Sequence, residues 1–181
     1  MPYEFRVTRR VEFSETDMEG IMHFSNFFKF METAEHGFFR SMGYSVVLSR
    51  NGLDLCLPRV HAECDYLAPL RFEDEVQVHL LVEKKGSRSL TSQFHFHRVN
   101  GAQPLLVAQG RLTVVCAARN KDGTLKAVPF PRNLAERIQE APAELLVPAG
   151  KPRRSTPRKA PVAPVKSARR RNGRRVHSLH P

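Results

Sequence analysis

Between residues 24 and 42 the apolar side chains Phe24, Phe27, Phe28, Met31, Ala34, Phe38 and Met42 recur mostly at steps of three and four. That spacing lines them up on one wide stripe of a helix. Phe30 and Phe39 fall off the stripe, so the helix is apolar on more than one side. A helix of that kind is wrapped by a sheet or packed against a partner chain. Ser25 stands where an N-cap belongs, and Gly43 where a left-handed C′ residue belongs. This single long rod is the only element available to cover whatever sheet the rest of the chain forms.

The remainder is patterned as strands. In YEFRVTRRVEFSE, Phe5, Val7, Val11 and Phe13 sit at odd positions, which predicts one buried face. After a loop from about Tyr44 to Leu57, RVHAECDYLA alternates Val60, Ala62, Cys64 and Tyr66 against Arg59, His61, Glu63 and Asp65. EVQVHLLVE alternates Val76, Val78, Leu80 and Val82, and KKGSR supplies a hairpin into SLTSQFHFHRV. Asn100-Gly101 marks another tight turn before a last strand, PLLVAQGRLTVVCAA. NKDG then closes a turn, and PRNLAERIQEA predicts a short amphipathic helix with proline near its start. The order predicts an α+β fold: strand, long helix, then four strands in an antiparallel meander with the helix on the apolar face.

With 181 residues there is room for one domain with a real core. Cys56, Cys64 and Cys116 show no CxxC spacing, and their odd number argues for free thiols in a reducing compartment. No apolar leader and no stretch of membrane-spanning length is visible, so a cytoplasmic protein without a membrane span is expected. The net charge of +11 is unevenly placed: 11 of the 29 Lys and Arg lie from Ala149 onward, without a single Asp or Glu among them. Two units are therefore expected, a domain over 1–141 and a basic Pro/Arg-rich tail over 142–181 too poor in apolar residues to fold. Such a tail is either a solvated appendage or an electrostatic, non-specific contact for nucleic acid or an anionic surface. No aromatic residue lies within it to stack on bases.

One stretch joins unlike chemistries. In SETDMEGIMHFSNFFKFME, Glu15, Asp17 and Glu19 precede the phenylalanine-rich helix with His23 between. Acidic groups favour the positive end of a helix, which suffices for Glu15 and Glu19. A helix start also presents unpaired N–H donors, able to stabilise an oxyanion that develops during attack on a carbonyl.

The pattern xTDxxGxxxxxNFxxFxE, carried by Thr16, Asp17, Gly20, Asn26, Phe27 and Glu32, resembles the 4-hydroxybenzoyl-CoA thioesterase family of hotdog-fold acyl-CoA thioesterases. YLAPLRFEDEV, with Tyr66, Pro69 and Asp74, extends the resemblance, which spans roughly residues 4 to 140. It implies an antiparallel sheet wrapped around one long central helix, and a homodimer or homotetramer with sheets joined edge to edge and active sites at subunit boundaries. It implies hydrolysis of an acyl-CoA or acyl-carrier-protein thioester to a carboxylic acid. Asp17 would be nucleophile or general base, and amides near His23 to Asn26 would polarise the carbonyl.

Thiolate is a good leaving group, so no cofactor or metal is expected. Gly20 would let the loop backbone approach the acyl group, and Phe24, Phe27 and the other phenylalanines would line or underlie an apolar acyl tunnel. The family carries Tyr-His where this chain has His23-Phe24, so His23 would orient substrate or water, or satisfy a backbone group. Asn26 would bind the loop carrying Asp17 or the substrate, or act as a cap. Glu32 would reach toward the site or form an ion pair. Lys84, Lys85 and Arg88 would grip CoA phosphates or form a solvated basic turn. His95 and His97 share a strand face without a third ligand nearby in sequence, as a solvated face would. Two functions follow: a thioester hydrolase using Asp17, or a non-catalytic hotdog acyl-binding scaffold whose basic tail binds nucleic acid.

Overall fold

The computed structural model describes residues 2–50 and 53–147; residues 148–181, most of the basic tail, lie outside the described residues. Strand β1 spans Glu4–Arg10 and helix α1 spans Asn26–Ser41. Two short strands follow, β2 (Leu48–Arg50) and β3 (Leu53–Cys56). The long strands are β4 (Arg59–Tyr66), β5 (Glu75–Lys85), β6 (Ser89–Arg98) and β7 (Leu105–Val115). Strands β8 (Ala117–Arg119) and β9 (Leu125–Ala127) and helix α2 (Arg132–Ala135) close the domain.

The main sheet has the order β1-β5-β6-β7-β4, with every pairing antiparallel. Its inner face carries Val76, Val78, Leu80 and Val82 from β5, Leu90, Phe94 and Phe96 from β6, and Ala108, Leu112 and Val114 from β7, all buried. Against them α1 lays Phe27, Phe30, Met31, Ala34, Phe38 and Phe39. Burying one such Phe or Met side chain contributes roughly 1.5–3 kcal/mol, so these residues largely decide where the helix lies. Phe30 and Phe39, off the main stripe, are fully buried as well, Phe30 with the Arg9 guanidinium of β1 over its ring at 4.7 Å, and the second sheet (order β2-β3-β8-β9) adds Leu48, Leu55 and Ala118 to the same core. Gly43, at φ +82°, ends the helix as expected, and Arg137 caps the carbonyl of Met42 at 3.0 Å.

Several local expectations change. The four late strands are not a simple meander: β5, β6 and β7 are, but β4 pairs with the far side of β7. Residues 67–74 therefore carry the chain across the sheet to β5. The predicted loop 44–57 contains the β2–β3 hairpin, and the predicted last strand breaks at Cys116 into β7 and β8, with β9 completing a hairpin around NKDG. Phe13 is 77 % exposed, since the chain leaves β1 at Arg10 and turns through a short 3-10 helix over Phe13–Glu15. Ser25 does not cap α1 with its side chain; its backbone is already helical. Residues 142–147, assigned by composition to the tail, lie on the outer face of the sheet, where the Gln93 amide exchanges two hydrogen bonds with the backbone of Val147.

Candidate active site

The loop between β1 and α1 is a small hairpin of its own. Thr16 bridges Met22, Asp17 N–H donates to the Ile21 carbonyl at 2.9 Å, and Gly20, at φ +70°, donates to the Asp17 carbonyl at 3.0 Å. A residue other than glycine is strained at that φ, so the turn that folds 17 back against 21 depends on Gly20. The Asp17 carboxylate is held by one oxygen only: Oδ1 accepts from Glu19 N–H at 2.9 Å and, at the long limit, from Ile21 N–H at 3.5 Å. Among the described residues Oδ2 has no hydrogen-bond partner, and the side chain is half-buried.

A second seam fixes this hairpin to the chain entering β5. Met22 N–H donates to Leu70 O at 2.7 Å, Glu73 N–H to Val11 O at 2.9 Å, and the Arg71 guanidinium reaches Gly20 O at 3.4 Å. Asp74 organises that turn by accepting Arg71 N–H at 2.7 Å.

The start of α1 is tied to the same loop through one carbonyl. Glu15 O accepts both His23 N–H at 2.8 Å and the Asn26 side-chain amide at 2.7 Å. Asn26 is only 5 % exposed, so its amide clamps the Asp17 loop to the helix from within the protein. His23 Nδ1 lies 2.8 Å from Ser25 Oγ, which draws the serine hydroxyl away from capping, and the imidazole stacks on Phe24 at 4.4 Å.

Most donors at this helix start are spoken for. Asn26 N–H goes to His23 O at 2.9 Å, and Ser25 N–H to His23 Nδ1 at 3.4 Å. The amide of Phe24 has no acceptor among the described residues. Phe24 itself is 59 % exposed, and Tyr66, at 47 %, reaches its carbonyl, so two half-open aromatic side chains form a lip at this helix start. Phe27 is different: it is buried between Tyr66 and Phe96, with ring centroids 5.0 and 5.3 Å away. Phe30, Phe38 and Phe39 likewise fill the core. The expected row of phenylalanines along an acyl tunnel is thus mostly core packing, and Phe24 is the ring left at the surface.

The remaining candidates lie elsewhere. Glu32, about 9 Å along the helix axis from Asn26, pairs with Arg59 at 3.2 Å and faces His36 at 3.7 Å. Arg59 also holds the buried Glu35 at 2.7 Å; burial raises the Glu35 pKa, and Arg59 opposes that rise. Lys84, Lys85 and Arg88 sit at the β5–β6 hairpin, whereas β1 runs out toward Asp17 where Arg10 pairs with Glu75 at the other end of β5. Ten residues of strand, ~33 Å, separate those ends. Lys85 donates its ammonium to Ala135 O and Ile138 O at 3.1 and 2.8 Å, while Lys84 and Arg88 are exposed.

His95 and His97 share the outer face with His79, and no group of three ligand-type side chains able to hold a metal ion occurs among the described residues. Burial pushes the Cys64 thiol up to about 12, so it stays protonated and is no thiolate nucleophile. Among the described residues no helix is long and apolar enough to cross a membrane.

Sequence reasoning found the Asp17 loop but assigned no role to Tyr66, whose hydroxyl donates to Phe24 O at 3.2 Å. Its only sequence signal was membership of the YLAPLRFEDEV motif.

Known proteins share this fold. The profile of the thioesterase-like superfamily matches residues 11–138. A protein of Aquifex aeolicus (strain VF5) that bears an esterase name is 33 % identical over 141 residues, 77 % of this chain and 100 % of that one. The crystal structure of a 1,4-dihydroxy-2-naphthoyl-CoA thioesterase from Synechocystis superposes with a TM-score of 0.63 at 25 % identity, covering 72 % of this chain and 91 % of that one. The 4-hydroxybenzoyl-CoA thioesterase from Pseudomonas sp. strain CBS-3 gives 0.65 at 17 % identity over 75 % and 99 %, a likeness of fold. With its antiparallel sheet closed on one long helix, and the matching profile spanning both that helix and the Asp17 loop, the chain belongs to the thioesterase-like superfamily and is a hotdog-fold thioesterase.

Proposed function

We propose that the protein hydrolyses acyl-CoA thioesters, with Asp17 as the reacting carboxylate and the Phe24 amide as the donor to the carbonyl oxygen. The observation that carries this reading is a carboxylate anchored through Oδ1 with Oδ2 unbound, on a hairpin clamped to a helix start that leaves one amide without an acceptor. Asp17 adds to the thioester carbon, or takes the proton of the water that does. Either way negative charge builds on the carbonyl oxygen, and a fixed N–H there stabilises the transition state more than the ground state. The C–S bond then breaks and CoA leaves as thiolate; where Asp17 itself has added, water then cleaves the resulting anhydride, releasing the carboxylic acid and restoring the Asp17 carboxylate. His23, held through Nδ1 by Ser25, borders the same entrance and orients the acyl group or water.

Dense packing of the helix phenylalanines supports a compact, flat acyl group lying against Phe24 and Tyr66 rather than a long chain threaded past Phe30 and Phe38. Aromatic acyl-CoA esters are thus the substrate class of choice. Strand β4, one of the two edges of the main sheet and the more exposed of them, is the surface a second copy extends. Antiparallel pairing of two copies there turns the partner's β5–β6 hairpin toward the end that carries Asp17. Lys84 and Arg88, exposed on that hairpin, then face the CoA phosphates across the boundary.

The test is thiol release from a panel of aromatic and aliphatic acyl-CoA esters by the parent and by Asp17→Asn. Turnover of aroyl esters that falls by at least about 10²-fold in the variant is the expected result. Equal rates in the two proteins would remove Asp17 from the chemistry.

A further inference from the structure

Tyr66 occupies an unusual place for an exposed side chain. It is the last residue of β4, on the row Val7–Val78–Phe96–Ala108–Tyr66 that crosses the whole sheet. Its ring packs edge-on against Phe27, which in turn packs against Phe96, so a three-ring stack runs from the core to the rim. At the end of that stack its hydroxyl donates to the carbonyl of Phe24 at 3.2 Å, bridging the edge strand to the turn that precedes α1.

The residue whose carbonyl is held is the one whose amide lacks an acceptor. On the N-terminal side of Phe24, its peptide with His23 is fixed by the bond from Asn26 N–H to His23 O at 2.9 Å. On the C-terminal side, Phe24 O receives Phe27 N–H only at 3.4 Å, a weak bond near the limit of a useful geometry. Both bonds are long for their kind, so the peptide after Phe24 is held by the two together, and the Tyr66 hydroxyl is the one that ties it to the sheet. Burial, with the Cys64 thiol beside it, pushes its pKa up to about 12, so it remains a donor at every ordinary pH.

We propose that Tyr66 is a positioning residue: its hydroxyl holds the peptide that follows Phe24 while Asn26 N–H holds the one before it, so that Phe24 is fixed from both sides with its amide toward the substrate carbonyl. This rests on the assignment of that amide above. Misplacing a catalytic group by a fraction of an ångström costs rate rather than affinity, because the lost interaction is strongest in the transition state.

Tyr66→Phe removes the hydroxyl and keeps the ring against Phe27. The expected outcome is a kcat lower by about tenfold with KM changed less than about twofold, at an unchanged thermal midpoint. A second readout examines the bound ester directly. In an Asp17→Asn background, chosen to slow turnover so that the ester persists, the infrared carbonyl band of a bound aroyl-CoA ester reports hydrogen bonding to its oxygen. Adding Tyr66→Phe should return the band toward its position in water-free solvent. An active parent with a shifted band, joined to a Tyr66→Phe protein that keeps both kcat and the shift, overturns the role given to Tyr66. A parent with neither turnover nor a band shift overturns the assignment of the helix-start amide instead. Loss of thermal stability in step with kcat makes the hydroxyl structural and also overturns the proposal.

Discussion

Asn26 shows how much one side chain does in this loop. Its buried amide and the His23 N–H share the Glu15 carbonyl, so the Asp17 hairpin and the helix start move as one piece. Replacing it with alanine leaves Glu15 O with one donor and is expected to cost about 1–2 kcal/mol. Asn26→Asp sets a buried carboxylate against a carbonyl oxygen and should cost more than the alanine change. Urea unfolding of the three proteins checks the order, and both variants should lose turnover more than their stability loss explains. Asp17 and Gly20 were legible in the sequence because the loop motif places them. The work of Asn26 and Tyr66 was not: their acceptors are backbone carbonyls 11 and 42 residues away, and a carbonyl has no sequence signature. Ser25 misled for a similar reason, since the His23 ring competes for the hydroxyl that a cap would use.

Helix α1 was readable from its periodicity, and so was the inner face of β5, because both patterns report burial against a single neighbour. The strand order was not. Alternation in RVHAECDYLA describes a strand but does not say which strand it joins, and β4 crosses to the edge beside β7 through the turn at 67–74. Close approach between elements was equally hidden. A Cβ at Gly37 would lie 2.4 Å from the nearest Phe5 ring atom, where the helix passes over β1, and a rigid ring has little room to yield. A Cβ at Gly110 would meet the sulfur and terminal methyl of Met31 at 2.7 Å, the end of a flexible though buried side chain, with the Glu63 carbonyl at 3.2 Å. Gly37→Ala should therefore destabilise by about 1–3 kcal/mol, and Gly110→Ala by less. Chemical denaturation that reverses this ranking would place the tightest helix–sheet contact elsewhere.

The whole domain carries a pH dependence on its outer face. His79, His95 and His97 stand there together, with Glu4 and Arg6 from β1, Gln77 from β5 and Gln109 from β7 on the neighbouring positions. Burial lowers the pKa of all three, that of His95 to about 4, and the neighbouring imidazoles add to the effect on His95. His95 Nε2 is buried without a partner among the described residues. Unfolding returns each ring to a value near 6.5, so the unfolded chain binds more protons below that pH. Stability contributed by the neutral rings is complete above about pH 6.5 and is lost as pH falls from there toward 4. Urea midpoints at several pH values between 7 and 4 should fall accordingly, and His95→Gln should flatten the slope. A midpoint independent of pH over that span would show the three rings to be solvated.

The chain contains no tryptophan and only three tyrosines. One of them, Tyr66, ends the aromatic stack at the lip above Phe24, with its phenol bonded to the backbone there. The protein consequently carries its own optical reporter at the entrance: ultraviolet emission from Tyr66 registers whatever settles on Phe24, with Tyr3 and Tyr44 as its only intrinsic background.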